Sequence, residues 1–341
     1  MSDDISGRSS DNALISVRNI TKHYPVTGTS MFARKEIIHA VDGVSFDIKE
    51  GETLGLVGES GCGKSTTGRL LVGIEKPDSG SIFYRGQNLL SMDRNEKKRI
   101  RIGLQMIFQD PYSSLNPRKH VFDILSEPML YHHIATKENV ASRVEKLLEE
   151  VGLPGNVKER YPHEFSGGQR QRIVIAKALS LEPDFIVCDE PVSALDNSIQ
   201  AQILNLLKDI QNKRRITYLF IAHGLGIVHY VSHRVAVMYL GKIVEIGGSD
   251  ELFRHPAHPY SQMLISSAPI ADPLLRDRPH YIPKGEVPSA INLPHGCRFH
   301  DRCPYATEKC KVEEPELRQV DVNDEHLVAC WNPISIENRK S

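Results

Sequence analysis

Three short stretches of this chain carry residue types at spacings that can do chemistry. The first, GESGCGKST (58–66), fits the pattern G-x-x-x-x-G-K-S with Gly58, Gly63, Lys64 and Ser65. In such a loop the backbone N–H groups wrap phosphates, the lysine neutralises the β- and γ-phosphates, and the hydroxyl reaches Mg²⁺. Glu59, Ser60, Gly61, Cys62 and Thr66 complete the lining. The second, FIVCDEP (185–191), ends a run of apolar residues in two acids. Asp189 is placed to hold a Mg²⁺ shell and Glu190 to orient an attacking water. The third, GCRFHDRCPYATEKC (296–310), holds Cys297, Cys303 and Cys310, and Cys330 follows. The C-x5-C-x6-C-x19-C spacing is neither that of a zinc ribbon nor that of common ferredoxins. It leaves open one metal centre (Zn²⁺ or a [4Fe–4S] cluster), disulfides, or unligated thiols. Of the six cysteines, Cys62 and Cys188 read as small structural residues.

The elements needed to position these stretches are legible around them. ETLGLV is a short apolar run feeding the glycine-rich loop, and a helix is expected from Lys64. This strand–loop–helix context separates the phosphate motif from a glycine-rich turn with an incidental lysine. FIVCD (185–189) and TYLFIA (217–222) read as buried strands. Leu14–Ile20 alternates, as do Val44, Phe46 and Ile48, and residues 103–109 read as a strand with Leu104, Met106 and Phe108 on one face. A helix is expected over 137–151, capped by Thr136 and ended by Gly152, with Val140, Val144, Leu147, Leu148 and Val151 on one face. Further helices are expected over Gly168–Leu181 and 198–213, and RVAVMYLGKIVEIG (234–247) reads as a hairpin turning near Gly241. Apolar strands alternating with helices argue for a parallel α/β core, and the alternating strands for an added antiparallel sheet.

Composition narrows the function classes. The 42 Lys plus Arg against 43 Asp plus Glu give no electrostatic reason to expect nucleic acid as a partner. Residues 1–13 are polar, without the basic start and apolar run of a secretion signal, and read as a disordered leader. No apolar run approaches the roughly 18 residues of a membrane span. In a reducing cytosol, clustered cysteines more often hold a metal than form disulfides.

FSGGQRQR (165–172) joins the phosphate loop and FIVCDEP to give a pattern that resembles the ATPase subunit of an ATP-binding cassette (ABC) transporter. The resemblance covers roughly residues 14–250. It implies an α/β fold with a mixed-sheet P-loop ATPase core, an antiparallel β subdomain and an α-helical subdomain over about 110–180. It implies a dimer in which Ser166, Gly167, Gly168 and Gln169 of one chain meet the γ-phosphate held by the other. On the same footing, Gln109 matches the glutamine that senses Mg²⁺ and γ-phosphate, so the Mg²⁺ ligand set is Ser65, Gln109 and Asp189. Asp196 in SALD matches the acid of a loop that crosses the dimer interface, His223 the γ-phosphate histidine, and Tyr24 the aromatic that stacks on adenine. Gly224 stands where the family usually has Asp.

After about residue 250 the texture changes, and 251–341 reads as a small irregular extension. HPAHPYSQMLISSAP (255–269), followed by the cysteine run, resembles the C-terminal extension of ATPase subunits from dipeptide and oligopeptide importers. The insertion between Tyr24 and Val41 is also like one of the two paired subunits there. That resemblance favours a [4Fe–4S] cluster on Cys297, Cys303, Cys310 and Cys330, with Zn²⁺ as the alternative. It implies a heterodimer with a paralogous ATPase, two membrane permease subunits, an external solute-binding protein, and a peripheral place on the cytoplasmic face of the bacterial inner membrane. Importers of nickel or glutathione carry the same extension. The alternative is a soluble ABC ATPase acting on ribosomes or DNA; such proteins usually carry two cassettes in one chain or a long coiled coil, and this sequence shows neither.

Overall fold

The computed structural model describes residues 13–26, 36–267, 288–320 and 325–334. The leader, except Ala13, and most of the 25–40 insertion lie outside them. In chain order the elements are β1 (Ala13–Val26), β2 (Glu36–Lys49), β3 (Thr53–Val57), α1 (Lys64–Leu71), β4 (Ser79–Tyr84), β5 (Gln87–Asn88), α2 (Arg94–Gly103), β6 (Leu104–Ile107) and α3 (Pro111–Ser114). Then come α4 (Val121–Tyr131), α5 (Val140–Glu150), α6 (Gly167–Leu179), β7 (Phe185–Asp189), α7 (Asn197–Arg214), β8 (Thr217–Ile221) and α8 (Leu225–Val231). The last described are β9 (Arg234–Tyr239), β10 (Lys242–Gly248), α9 (Ser249–Arg254), α10 (Pro259–Ser266), α11 (Glu308–Val312), β11 (Arg318–Gln319) and β12 (Leu327–Val328).

The chain divides into two compact units. The first draws on Met1–Ile48, Glu52–Leu90 and Ile221–Ser341. It contains the antiparallel sheet β2-β1-β4-β5 and a second run of strands ordered β11-β12-β10-β9-β3. In the latter, β3 lies parallel to β9 while β9, β10, β12 and β11 pair antiparallel. All five residues of β3 are buried, which is why its sequence is continuously apolar rather than alternating. The predicted hairpin is β9–β10, and Gly241 turns it at φ 84°.

The extension is less irregular than its sequence suggests. β12 pairs with β10 (Glu245 opposite Val328), so the end of the chain adds to the sheet. Glu245, fully buried, accepts hydrogen bonds from Ala257 N–H (2.6 Å), His258 N–H (2.9 Å) and the His326 ring (2.7 Å). A buried carboxylate is tolerated only when so satisfied.

The second unit comprises Lys49–Gly51 and Ser91–Phe220. Its strands run β8-β7-β6, with β6 parallel to β7, and its helices α4, α5 and α6 pack on one another. The strand expected over 103–109 is confined to Leu104–Ile107. Leu104 and Ile107 are its buried residues, and Phe108 is exposed. β6 is the last strand in its order, flanked by α2 and α6, so strict alternation does not apply to so short an edge element. The helix expected over 137–151 begins at Val140. Thr136 does not cap it; its N–H instead donates to Asn139 Oδ1 (2.9 Å), closing a turn before the helix. The apolar face is as expected, with Val140, Val144, Leu147, Leu148 and Val151 buried. Gly152 (φ 75°) follows the helix end.

Candidate active site

The phosphate loop leaves buried β3 and turns into α1. Its glycines are dictated by contact as well as by φ. A Cβ on Gly63 (φ 109°) would lie 2.0 Å from Ala40 O, and one on Gly58 would lie 2.1 Å from Met238 O. Lys64, 4% exposed, donates from Nζ to Gly58 O (2.8 Å) and Glu59 O (3.0 Å). The loop carbonyls thus hold the lysine across the concavity that its own backbone forms. Cys62 is packed into the loop (3% exposed), and burial pushes its thiol pKa up, consistent with a structural role.

Two residues not singled out from the sequence grip the loop. Tyr260 Oη accepts from Glu59 N–H at 2.8 Å, and Arg302 forms a two-pronged ion pair with the Glu59 carboxylate at 2.8 and 3.0 Å. The available signals were the tyrosine of HPY and the arginine beside Cys303, and neither spacing announces a partner some 200 residues away. Tyr24, on β1, donates its hydroxyl to Glu75. Burial and that carboxylate raise its pKa. His223 is exposed just beyond β8, and Gly224 is the N-cap of α8 at φ −78°, a conformation open to any residue.

In the second unit the structure brings Gln109 and Glu190 together, with Gln109 Nε2 donating to Glu190 Oε2 at 2.8 Å. Asp189 and Glu190 are 5% and 7% exposed at the end of β7. Glu190 has φ 50°, in the left-handed region that non-glycine residues seldom occupy. Ser193 Oγ donates to Glu190 O (3.1 Å) and supports this turn. Such strain gathers at functional sites because surrounding structure must enforce it.

Ser166 caps α6. Its Oγ accepts from Gln169 N–H, and Gln169 Oε1 accepts from Ser166 N–H (3.0 Å), completing a capping box. Gly168 is fixed by packing, since a Cβ there would lie 2.5 Å from Ile199 Cγ2. Asp196 caps α7 through Ile199 N–H (3.0 Å). That bond and the Ser198 hydroxyl hold its carboxyl below the usual range.

Cys297, Cys303, Cys310 and Cys330 line one cavity with His258, Phe299 and Trp331. None is in a disulfide. Backbone N–H groups two residues on, at Phe299, Tyr305 and Asn332, donate to the sulfurs of Cys297, Cys303 and Cys330. Burial pushes the Cys297 thiol up to about 11 and the Cys330 thiol to about 12, with the neighbouring cysteines adding to the shift. The four sulfurs do not form a group within 4.8 Å of one another. Among the described residues that distinction belongs to His23, His39 and Asp42. A cation is disfavoured at the latter group, because Asp42 already pairs with Arg298 and faces Lys242.

A phosphate loop following a buried strand, an acid pair ending a second buried strand and a capped SGGQ helix are the parts of an ATPase of the ABC class. The family described as ABC transporter matches residues 41–193, and the oligopeptide/dipeptide transporter C-terminal region matches 244–310. The chain is 48% identical to the oligopeptide transport ATP-binding protein AppF of Bacillus subtilis, over 93% of this chain and 96% of that one. It is 46% identical to the dipeptide transport ATP-binding protein DppF of Escherichia coli, over 95% and 96%. Among solved structures it is similar to cbiO1 from Clostridium perfringens, part of an ABC transporter complex (28% identity, TM-score 0.61, 71% of this chain and 91% of that one). It is also similar to a dimeric ATP-binding cassette in a post-hydrolysis state with ADP and phosphate (26%, TM-score 0.61, 69% and 98%). The chain belongs to the ABC transporter ATP-binding proteins, in the group that carries the oligopeptide/dipeptide C-terminal region.

Proposed function

We propose that this protein is the ATP-hydrolysing subunit of an importer of di- or oligopeptides. The observation that carries this reading is end-to-end similarity, through both the cassette and the cysteine-bearing extension, to peptide-transport ATP-binding proteins. We take 14–250 as the cassette, with 110–180 its helical part, and 251–341 as the extension.

In this reading Lys64 and the loop N–H groups bind the β- and γ-phosphates, and Ser65, Gln109 and Asp189 hold Mg²⁺. Tyr24 stacks on adenine. Glu190 receives the proton of the attacking water, and Gln109 orients it through the 2.8 Å bond. His223 meets the γ-phosphate. Ser166, Gly167, Gly168 and Gln169 complete the site of a partner chain, a second and paralogous ATPase, with Asp196 at the crossing loop. Two permeases and an external binding protein complete the assembly. No described helix is long and apolar enough to cross a membrane, and we place the chain peripherally on the cytoplasmic face. The test is turnover in the assembled transporter: Glu190→Gln is expected to bind ATP and cease to hydrolyse it. Turnover near wild type would remove the assignment.

We further propose that the four cysteines hold a [4Fe–4S] cluster. A single tetrahedral Zn²⁺ draws its sulfurs to roughly 3.8 Å apart, given Zn–S bonds of about 2.3 Å. These sulfurs are spread more widely around one cavity, and backbone N–H groups face three of them, a donor set suited to a thiolate-bound cluster. When bound, the cluster would cross-link the extension and offer one-electron chemistry. Protein purified without oxygen should be brown with about four irons per chain. Colourless protein carrying zinc would overturn this.

A further inference from the structure

Glu59 is a carboxylate placed within a loop whose work is to bind phosphate, and the first unit restrains it from two directions. Its N–H is given to Tyr260 Oη at 2.8 Å, and its side chain to Arg302 at 2.8 and 3.0 Å. Arg302 is itself fixed. Its side chain is 6% exposed, its Nη1 donates to Tyr239 Oη (3.3 Å), and the rings of Tyr239 and Phe299 lie 5.9 and 5.7 Å from the guanidinium. Tyr260 is fully buried against the same two rings.

A second tie runs beside the first. Gly241 N–H donates to Cys62 O (2.9 Å), and the neighbouring Leu240 O accepts from Arg298, which also pairs with Asp42. Arg298 directly follows Cys297 and Arg302 directly precedes Cys303. Between them the chain folds into one tight turn, with His300 N–H on Cys297 O (3.0 Å) and Cys303 N–H on His300 O (3.2 Å). Both arginines are therefore aimed by the segment that carries the first two cysteines.

We propose that Arg302 is a positioning residue for nucleotide binding. It cancels the Glu59 charge and holds the first peptide of the phosphate loop, so that the affinity for ATP depends on the cysteine-bearing turn. The proposal rests on the reading of 58–66 as the ATP site. Its physical core is electrostatic. An unpaired carboxylate in the loop repels a polyphosphate, and a bidentate guanidinium both neutralises it and fixes its direction. The cysteine turn reaches the nucleotide through charge and loop geometry, without touching it.

The test uses the full-length, metal-loaded chain and measures Mg-ATP affinity with a fluorescent ATP analogue, beside metal content and the KM and kcat for ATP. Arg302→Gln is expected to raise Kd about tenfold, the factor that 1.4 kcal/mol of binding energy represents. KM should rise more than kcat falls, metal content should be retained, and the defect should shrink at high salt. Adding Glu59→Gln to Arg302→Gln should bring Kd back toward the wild-type value, because the unpaired charge is then gone. An Arg302 that merely fastens the extension would give a defect that the second substitution does not relieve. That outcome, or a Kd within twofold of wild type, overturns the proposal. Should Arg302→Gln fail to fold, Arg302→Lys keeps the charge and loses the two-pronged geometry. It is expected to weaken binding about threefold, again relieved by Glu59→Gln, and the same two outcomes overturn the proposal. Lys64→Ala serves as the reference: if it binds ATP as wild type does, the site reading itself fails, whereas its loss of binding beside an unaffected Arg302→Gln removes only the positioning role.

Discussion

Gln109 and Glu190, 81 positions apart in sequence, are joined by a single 2.8 Å hydrogen bond from the Gln109 amide to Glu190 Oε2. The bond holds one carboxylate oxygen in place, and in the proposed reading this carboxylate is the general base. Glu190→Gln keeps the shape and removes the basicity, so kcat should fall by about 10²–10⁴, the usual worth of a general base. Gln109→Ala leaves the base in place but unaimed and should cost less, about tenfold. Steady-state phosphate release on the assembled transporter checks both, and the reverse ranking would contradict the assignment of Glu190 as base.

Gly168 tests whether the SGGQ helix start is set by packing. Alanine there brings a Cβ to 2.5 Å from Ile199 Cγ2, so the Ile199 side chain must leave its position or α6 and α7 must move apart. Gly168→Ala should destabilise by about 1–3 kcal/mol, the range for overpacking, despite the better helix propensity of alanine. Adding Ile199→Ala should recover part of the loss. Denaturant unfolding of the two variants reads this directly.

His258 supplies a pH dependence. Its Nδ1 accepts from Tyr260 N–H (3.0 Å), which requires the neutral ring, and complete burial lowers its pKa to about 4, partly opposed by Glu245. The unfolded chain takes up this proton near pH 6.5 and the folded chain only near 4, so the unfolded state binds more protons between these values. Stability from this group is fully present above about pH 6.5 and is lost as pH falls toward 4, by roughly 3 kcal/mol at most. His258→Asn keeps a capping acceptor and should flatten that part of the profile. An unchanged slope would count against it.

Cysteine substitution separates the roles of the six thiols. On the proposed cluster reading, in which the intact site holds about four irons, Cys303→Ser should leave less than about one iron per chain and lower the melting temperature. Cys188→Ser should leave iron content unaltered, since Cys188 is a fully buried strand residue with its pKa driven up by burial. Iron analysis after anaerobic purification distinguishes them.

Gly224 offers a small stabilising change. It caps α8 at φ −78° and ψ 106°, without side-chain help. Gly224→Asp should add a few tenths of a kcal/mol through a bond to the helix N-terminus. Its Cβ would meet Ile227 Cδ1 at 3.2 Å, a flexible methyl that can move aside. Thermal unfolding measures the gain.

The parts legible in the sequence were those written in local spacing. The phosphate loop, the β7 acids and the FSGGQRQR motif each follow from a few adjacent residues. Buried β3, β7 and β8 were legible because strands covered on both faces are largely apolar throughout rather than alternating. What escaped was contact between distant positions and backbone state. Nothing local says that Arg302 answers Glu59, that Glu190 sits at φ 50°, or that Asn139 takes the place of Thr136 at the start of α5. The cysteine cavity lay between these cases. Its members were visible from composition, while their convergence depended on a turn at Gly296, where a Cβ would strike Cys310 O at 2.5 Å.

The pairing of β12 with β10 has a consequence for how this chain can be shortened. Without the last described residues, β10 would present a row of unpaired backbone groups along an open margin, and Glu245 would lose the ring of His326. Such a margin is a template for joining other molecules. The two-residue strands β11 and β12 act as a selvedge: too brief to recruit a further strand, long enough to keep the sheet from fraying into its neighbours. A cassette cut back at residue 250 would be a stickier protein as well as a smaller one.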